Sequence, residues 1–386
     1  MILERPTLYI NGRFLGQRLT GVQRYALETL IALDEMLSNA GSARPFDGVV
    51  IAPSGTRSPA LRSVGFRCVG PFHGHVWEQL TLPIVTRGSW LLSFCPTGPL
   101  LKSAQVVTIH DAAVYRVPES YGRLFRAWYK FLLPRIVRRS AMVMTVSEFA
   151  KSELIATLEV PAGHVRVSGE GWQHLERFRP RPSVLATHGL SSKGYILAVS
   201  SLAPHKNFRV IARALEHLHD CGLPVVVAGA VDPRVFDGAS EGALGSLKLL
   251  GYVGDEELRA LYEHAAMFVH PSSYEGFGIP PLEAMASGCP VVASSAGAIP
   301  EVCGDAAVYF RPDDPLELAR LIRRLASDHA EREALVQRGY DRLRAHSWAG
   351  AACCHFDVVE ELLQLQRHGA ATSVARFSPH LEDAQS

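Results

Sequence analysis

Two glutamates separated by seven residues stand in a stretch of chain that could bind a polar ligand. Glu275 lies in a glycine-containing loop after an apolar strand, and Glu283 lies in a helix predicted over Pro281–Ala286, in its first turn. Gly276 and Gly278 let the backbone approach a ligand closely, because glycine has no side chain. Free amides at the helix start favour an anion such as a phosphate, while the carboxylates suit neutral hydroxyls. The pattern predicts a site for a ligand with both kinds of group.

Further groups stand where apolar strands end and could complete such a site. Lys206 follows the strand predicted over Tyr195–Ser200, and its ammonium could neutralise a phosphate. His110 and Asp111 end another buried strand, and Gly21 begins a helix whose free amides could face a phosphate. Each group alone also has a structural explanation: a solvated lysine, a histidine satisfied in the core, or an ordinary helix start. It is their combination with the two glutamates that favours chemistry.

The elements that must position these residues follow from the apolar pattern. Short runs of valine, isoleucine and leucine alternate with helical patterns, and each run is apolar on both faces. This is typical of parallel strands covered by helices on both sides, so the fold class expected is α/β and doubly wound. The predicted strands are Thr7–Asn11, Gly48–Ala52, Trp90–Phe94, Val106–His110, Met142–Ser147, Tyr195–Ser200, Val225–Ala228, Lys248–Leu250, Met267–His270, Val291–Ala293 and Ala307–Phe310.

A polar, proline-containing stretch without apolar periodicity divides these strands into two groups. We therefore expect two Rossmann-like domains whose parallel sheets face each other across a cleft, with the ligand outside the carboxyl ends of the strands. The expected division is 1–178 for the first domain, 179–192 for the linker, 193–347 for the second domain, 348–368 for a C-terminal helix packing back toward the first domain, and 369–386 for a disordered tail.

Composition and missing motifs exclude several classes of protein. The net charge of +1, from 39 basic and 38 acidic residues, argues against nucleic-acid binding. The longest apolar runs are about nine residues, against the roughly 20 that a bilayer span needs, and the N-terminus lacks the apolar core of a signal peptide. Seven cysteines without regular spacing indicate reduced thiols in a cytosolic protein and no metal site. The stretch after Gly169 lacks the third glycine of the dinucleotide-binding pattern, which argues against an NAD-dependent dehydrogenase.

The string from Ser272 to Val292 resembles the EX7E motif of the retaining family 4 glycosyltransferases, which have the GT-B fold of two facing Rossmann-like domains. Both acids, the loop glycines and the trailing Ala-Ser-Gly-Cys-Pro-Val-Val match, and the resemblance extends from Thr7 to about His368. It implies that Glu275 lies beside the donor sugar and that Glu283 binds the ribose hydroxyls. Backbone groups complete the implied donor site: Gly276, Phe277, Gly278, Ile279, Tyr252 and Val253.

The segment around Lys206 resembles the family's G-[RT]-x4-K-N pattern, which contacts the donor diphosphate. Ser201 stands where many members of the family have arginine. Two alternatives follow for this donor-binding position. Either the hydroxyl of Ser201 suffices, as in members with threonine, or another residue such as Arg24 or His205 supplies the missing cation.

The first half of the chain resembles the same family. His110 matches the histidine that contacts the donor sugar. Asp111 is expected to orient the ring of His110 or to contact the acceptor. Gly21 occupies the place of the family's glycine-rich loop, after Thr20 as the N-cap of the helix. The resemblance thus implies that catalysis depends on His110, Glu275 and Lys206.

The implied reaction moves a sugar from a nucleotide diphosphate to a hydroxyl with retention at the anomeric carbon. No Asp-x-Asp pair is present, so backbone amides and Lys206 are expected to replace a divalent cation, with the leaving phosphate as base in a front-face attack. Similarity to lipopolysaccharide and O-antigen mannosyl- and rhamnosyltransferases favours GDP-mannose or GDP-rhamnose as co-substrate, with no cofactor. A UDP-sugar is the alternative donor, and a catalytically inactive binding protein is a further alternative.

The stretch 121–139 combines aromatic and leucine side chains with six basic residues. A basic amphipathic helix can lie on an anionic lipid surface, and the alternative is an ordinary core-facing helix with a solvated basic face. A lipid-linked oligosaccharide acceptor, which the resemblance implies, would make such docking useful. We therefore expect a cytoplasmic protein with peripheral contact at the inner face of the cytoplasmic membrane.

Overall fold

Residues 5–201, 203–218, 221–230 and 240–367 are described by the structure, a computed structural model. Two parallel sheets are present in this part of the chain. The strands of the first are β1 (Thr7–Asn11), β2 (Asp47–Ala52), β3 (Gly65–Cys68), β4 (Trp90–Ser93), β5 (Gln105–Thr108), β6 (Met142–Thr145) and β7 (Val165–Val167). The strands of the second are β8 (Ile196–Ser200), β9 (Val225–Gly229), β10 (Leu247–Gly251), β11 (Met267–His270), β12 (Val291–Ser294) and β13 (Ala307–Phe310).

Both sheets have the strand order of a doubly wound fold. The first runs β3-β2-β1-β4-β5-β6-β7 and the second runs β10-β9-β8-β11-β12-β13, with all pairs parallel. The order reverses between β1 and β4 in the first sheet and between β8 and β11 in the second. Ligands of such sheets bind at these reversal points, outside the carboxyl ends of the strands. The two predicted α/β sheets of the GT-B architecture are confirmed.

Helices cover both faces of each sheet. They are α1 (Gly21–Ala40), α2 (Gly74–Leu80), α3 (Leu82–Val85), α4 (Ala113–Arg116), α5 (Arg123–Arg139), α6 (Glu148–Leu158), α7 (Ser183–Thr187), α8 (Phe208–Leu215), α9 (Glu241–Gly245), α10 (Asp255–His264), α11 (Ile279–Ala286), α12 (Ile299–Cys303), α13 (Pro315–Ser327), α14 (His329–Leu343) and α15 (Trp348–Arg367). In β5, Val106 packs with the core under α1 and α15, whereas Val107 packs with α5 and α6. This alternation explains why the strands are apolar on both faces.

The helix α15, which ends the described part of the chain, lies against the first sheet's covering layer. The Tyr25 hydroxyl on α1 hydrogen-bonds His355 Nε2 at 2.7 Å, and the rings of Phe46 and Phe356 have centroids 5.4 Å apart. The predicted tail, 369–386, falls outside the described residues. In the described ranges, none of the helices combines the length and apolar character that crossing a membrane requires.

The segment predicted as a linker, 179–192, contains the short helix α7, which is anchored beside α10. The Arg181 backbone amide donates to the Glu256 carbonyl at 3.0 Å, and the side chains of the same two residues form an ion pair. This stretch is therefore held against the second half of the chain. The domain boundaries themselves remain those proposed from the sequence.

Candidate active site

Lys206 and Glu275 form an ion pair at the reversal point of the second sheet. Lys206 stands in the turn after β8 and Glu275 in the loop after β11, and these two strands are neighbours. The Lys206 Nζ lies 2.8 Å from Oε2 and 3.1 Å from Oε1 of Glu275, and His270 Nε2 lies 3.4 Å from Oε2. Burial alone would raise the pKa of Glu275, but Lys206 and His270 hold it below its ordinary value. The glutamate is therefore ionised at neutral pH.

The loop that carries Glu275 is fixed by glycines and by a neighbouring turn. The Ala298 amide donates to the Glu275 carbonyl at 3.0 Å, and Gly297, at φ +64°, leaves no room for a side chain because a Cβ there would lie 2.5 Å from that carbonyl oxygen. Gly278, at φ +108°, turns the chain into α11. Such backbone geometry favours glycine.

The helix after this loop begins two residues earlier than predicted. It starts at Ile279 rather than Pro281, because Gly278 turns the chain there and prolines are tolerated in a first helical turn. The expectation that Glu283 lies in the first turn is therefore wrong, since Glu283 is the fifth residue of the helix. Phe277 and Ile279, at the start of this helix, are buried residues.

Glu283 is buried and holds two partners that the sequence did not point to. His174 Nε2 lies 2.8 Å from Oε1, and the Tyr262 hydroxyl donates to Oε2 at 3.1 Å. Because Trp348 Nε1 donates to His174 Nδ1 at 3.2 Å, the Nε2 nitrogen carries the proton toward Glu283. Against the effect of burial, His174, Arg24 and Tyr262 hold the pKa of Glu283 below its ordinary value. A ribose would meet a carboxylate already fixed in orientation.

The first sheet contributes His110 and Asp111, which follow β5. His110 is 7% exposed, and neither of its ring nitrogens has a hydrogen-bond partner among the described residues. Burial lowers the pKa of His110 to about 3, so its imidazole is neutral at pH 7. The Tyr25 ring stands edge-on to it, with centroids 4.7 Å apart. A neutral imidazole can both donate to and accept from a sugar hydroxyl.

Asp111 has a raised pKa and a partly satisfied carboxylate. Its Oδ1 accepts from the Ala113 amide at 2.8 Å, while burial and the charge of Glu275 raise its pKa. The side chain therefore lies near enough to Glu275 for the two charges to interact. This brings a residue proposed for the acceptor side next to one proposed for the donor side.

The two halves of the chain are in direct contact around this cleft. The Ser147 hydroxyl donates to the Gly276 carbonyl at 2.6 Å, and the Ala112 amide donates to the Tyr274 hydroxyl at 3.1 Å. At the rim, His205 Nδ1 lies 2.9 Å from the Ser120 hydroxyl. These contacts join the carboxyl ends of both sheets.

Arg24, a candidate cation for the diphosphate, is placed between the two halves. Its guanidinium lies 2.6 Å from Asp255 Oδ1, and its charge also acts on Glu283. The other candidate, His205, has its pKa lowered by burial and by Lys206, which disfavours a positive charge there. Arg24 is therefore better suited than His205 to assist Ser201, whose side chain is exposed.

The remaining predicted residues lie around the rim or behind it. Gly21 is the first residue of α1, and nothing lies within 4 Å of where its Cβ would be. Thr20 is the N-cap, although its hydroxyl bonds the Gln23 side chain rather than a backbone amide. Tyr252 is 77% exposed and has the Arg18 guanidinium 5.5 Å from its ring centroid. Val253 is half-buried next to it.

The arrangement can bind an anion and a hydroxyl-rich group side by side. Lys206 and Arg24 supply positive charge, whereas Glu275, Glu283 and neutral His110 supply hydrogen-bonding groups. Within the described ranges, no group of three or more His, Cys, Asp or Glu residues is arranged to hold a metal ion. The ammonium of Lys206 contacts the carboxylate of Glu275 directly.

Comparison with known protein families and sequences gives consistent results. The signature described as "Glycosyl transferases group 1" matches residues 186–342. O-antigen chain mannosyltransferase B of Escherichia coli is 31% identical over 63% of this chain and 66% of its own length. The RfbU O-antigen chain mannosyltransferase of Salmonella typhimurium is 28% identical over 80% of this chain and 87% of its own. The MMP alpha-(1->4)-mannosyltransferase of Mycolicibacterium hassiacum is 30% identical over 72% of this chain and 69% of its own length. The chain spans 31–32% of the WbdA mannosyltransferases that it also matches.

Solved structures share the fold at low sequence identity. Sucrose-phosphate synthase from Thermosynechococcus elongatus superposes with a TM-score of 0.70 at 18% identity, covering 96% of this chain and 100% of that one. WaaG, a glycosyltransferase involved in lipopolysaccharide biosynthesis, gives a TM-score of 0.66 at 14% identity, covering 92% of this chain and 99% of that one. HepE from Anabaena, solved with UDP and glucose, gives a TM-score of 0.64 at 14% identity, covering 95% of this chain and 100% of that one. These similarities concern the fold.

Proposed function

The chain belongs to the group 1 family of glycosyl transferases and is a hexosyltransferase of the GT-B fold, and from this premise we propose its donor, mechanism and acceptor. It transfers mannose or rhamnose from a GDP-sugar to a hydroxyl of a growing, lipid-linked surface polysaccharide, with retention at the anomeric carbon and without a metal ion. The O-antigen mannosyltransferases among its relatives support the sugar and the acceptor class.

The observation that carries this proposal is the Lys206–Glu275 pair, whose loop meets the chain at His110 and Asp111 across the cleft. When the glycosyl–phosphate bond breaks, negative charge accumulates on the departing diphosphate and positive charge on the sugar. Lys206 would stabilise the first charge and Glu275 the second, so both act more strongly on the transition state than on the ground state. Neutral His110 would hold the sugar by a hydrogen bond without adding positive charge beside the forming oxocarbenium ion.

Retention follows from a front-face route in this proposal. Glu275 is held by Lys206 and His270, so its carboxylate is positioned as a hydrogen-bonding and electrostatic group rather than as a free nucleophile. The acceptor hydroxyl would then attack from the side of the departing phosphate, and a phosphate oxygen would take its proton. Close contact between the two halves would exclude water and limit hydrolysis of the donor.

The nucleotide is tested first, with a thermal-shift panel of GDP, UDP, ADP and NAD, each in EDTA. A ligand at about 100 times its Kd stabilises the folded protein by about 2.7 kcal/mol, which for a chain of this size raises Tm by about 3 °C. We expect GDP alone to do so. A response to UDP alone would replace the donor by a UDP-sugar, such as the UDP-glucose with which HepE was solved. A nucleotide that stabilises the protein only in a parallel series with Mg²⁺ in place of EDTA would contradict metal independence. Stabilisation by NAD alone would contradict the donor class.

Peripheral membrane contact through α5 is the second part of the proposal. Leu124 is 89% exposed, and Phe125 and Phe131 are 42% and 45% exposed. Exposed basic residues share the same helix: Arg123, Lys130, Arg135, Arg138 and Arg139. Apolar side chains beside basic ones suit an anionic lipid surface, which would bring the cleft to a lipid-linked acceptor.

Vesicle sedimentation tests this contact with a matched pair of double variants. We expect the protein to bind vesicles containing anionic lipid and not neutral ones, and the Arg123→Gln/Leu124→Ser variant to bind at least fivefold more weakly, because each basic residue near the surface contributes about 1 kcal/mol. The control is Leu316→Ser/Arg320→Gln, which changes an exposed leucine and arginine on α13. Equal binding by both variants would contradict a role of α5.

A further inference from the structure

Glu170 is a buried carboxyl that lacks a protein partner. It is 6% exposed in the loop after β7, and among the described residues none hydrogen-bonds or ion-pairs with its side chain. Burying a polar group without a hydrogen bond is unfavourable. Its oxygens are not among the fully enclosed side-chain atoms that lack a partner, so a bound ligand can reach them, and we expect such a ligand to supply the partner.

Glu170 follows β7 at the carboxyl end of the first sheet, the edge that borders the cleft. Its pKa is raised well above the ordinary value by burial and by the charges of Glu275 and Asp111, which places it within interaction range of one residue from each half of the chain. Its charge also acts on the Tyr25 hydroxyl, whose ring lies against His110. His110 is also buried without a partner, and the Tyr25 ring lies against it, so Tyr25 links the surroundings of these two polar groups.

The loop around Glu170 is anchored on both sides, which fixes the position of its carboxyl. Before it, the Ser168 hydroxyl lies 2.8 Å from the Tyr25 hydroxyl and donates to the Thr145 carbonyl at 3.0 Å. After it, Gly171 packs so closely that a Cβ there would lie 2.3 Å from the Trp348 backbone nitrogen. His174 then holds Glu283. A side chain presented by such a loop is preorganised rather than adaptable.

The group that would fill this space is a neutral sugar ring. Once ionised, the Glu170 carboxylate accepts hydrogen bonds, and a hexose hydroxyl donates one. A sugar that carries its own carboxylate would meet Asp111, Glu170 and Glu275 together, and the ammonium of Lys206 is already paired with Glu275. Like charges at close range are strongly unfavourable.

We propose that Glu170 is a specificity-determining residue that hydrogen-bonds a hydroxyl of the donor hexose and excludes donors whose sugar is a uronic acid. This inference rests on the proposed nucleotide-sugar function and specifies the class of sugar at that site. The residue contacts the sugar and takes no part in bond breaking.

Calorimetric binding of GDP, GDP-mannose and GDP-mannuronate to the full chain tests the proposal without an acceptor; the corresponding UDP compounds are used where UDP is the nucleotide bound. In the wild type, we expect GDP-mannose to bind about tenfold more tightly than GDP, and GDP-mannuronate to bind about 100-fold more weakly than GDP-mannose. Glu170→Gln should retain the mannose compound and gain about tenfold for the uronate. Glu170→Leu should lose the tenfold contribution of mannose and bind GDP normally.

The outcomes separate this inference from the function on which it rests. If the wild type binds no nucleotide, the proposed function fails and this inference with it. If the wild type discriminates as expected and Glu170→Leu does the same, Glu170 is structural and only this inference fails. Glu176→Gln, an exposed residue of the same segment, is the control that should match the wild type throughout.

A denaturation series gives a second readout that does not need ligand. Because the folded-state pKa of Glu170 is raised, its protonated form stabilises the fold at low pH, and this contribution is lost as pH rises through that pKa. Glu170→Gln cannot ionise, so its denaturation midpoint should exceed that of the wild type by a margin that widens from pH 5 to pH 8. A constant margin would show that folding leaves the pKa of Glu170 unchanged, so that its carboxyl is not buried without a partner, and would overturn the inference.

Discussion

A Glu275→Gln variant is expected to lose 100- to 1,000-fold in kcat/KM, the range found when one preorganised electrostatic group is removed from an active site. The carboxylate pairs with Lys206 at 2.8 Å, and an amide of the same shape cannot stabilise positive charge on the sugar. Nucleoside diphosphate affinity should stay equal or rise, because Lys206 loses its competing anion. Steady-state transfer and calorimetric GDP binding measure the two effects separately.

The matched control for this variant is Glu333→Gln. Glu333 forms an exposed pair with His329 at 3.2 Å and should leave both quantities unchanged. A Glu275→Gln enzyme within threefold of the wild type would refute the assignment of this acid. Loss of GDP binding together with activity would mean that the substitution disturbed the loop, and would leave the catalytic assignment unsupported.

Gly276→Ala is expected to lower kcat by about 100-fold with little change in stability. A Cβ at this position would lie 2.5 Å from the His110 carbonyl oxygen and 2.9 Å from the Asp111 Cβ, so the two halves of the chain could not approach as closely. A displacement of about 1 Å is enough to cost 100-fold in rate. The φ of Gly276 lies outside the left-handed region, so alanine fits when the halves separate.

Single-turnover kinetics and solution scattering with and without GDP check this expectation. The variant should bind GDP, remain folded and show a larger radius of gyration than the wild type in the presence of GDP. Gly163→Ala is the control, because nothing lies within 4 Å of its Cβ position and its φ is also outside the left-handed region. Wild-type kcat in Gly276→Ala would show that this contact does not limit closure.

The apolar pattern predicted the central strands well because they are buried on both faces. The strands Thr7–Asn11, Met267–His270 and Ala307–Phe310 have the predicted bounds, and the other predicted strands differ by at most two residues at either end. The pattern missed β3 and β7. The first is an exposed edge strand with Arg67 in it, and the second has only three residues around Arg166. Neither contains an apolar run long enough to be distinguished from a loop.

The motifs located the loops of the site but not the contacts among them. Lys206 and Glu275 were predicted to bind different parts of the donor, and their ion pair depends on β8 and β11 being neighbours, which strand order decides and spacing does not. His174 and Tyr262 escaped notice because neither belongs to the motif that contains their partner Glu283. Glu170 lies between Gly169 and Gly171, and only the glycines of this stretch were compared with a known motif. Its burial could be learned only from the folded chain.

The return of α15 to the first sheet affects how the chain can fold during synthesis. His355 and Val359 belong to the core that also contains Tyr25 and Leu30, so that core remains uncovered until more than 300 further residues have left the ribosome. Contacts between such distant residues form slowly and leave apolar surface exposed meanwhile. The strands of each sheet come from one continuous stretch, but the helices α8–α14 lie beside the second sheet in the chain, so that half depends less on α15. Translation should therefore release a chain whose later half matures ahead of its earlier half, and shortening the chain before Trp348 should impair the half that was made first.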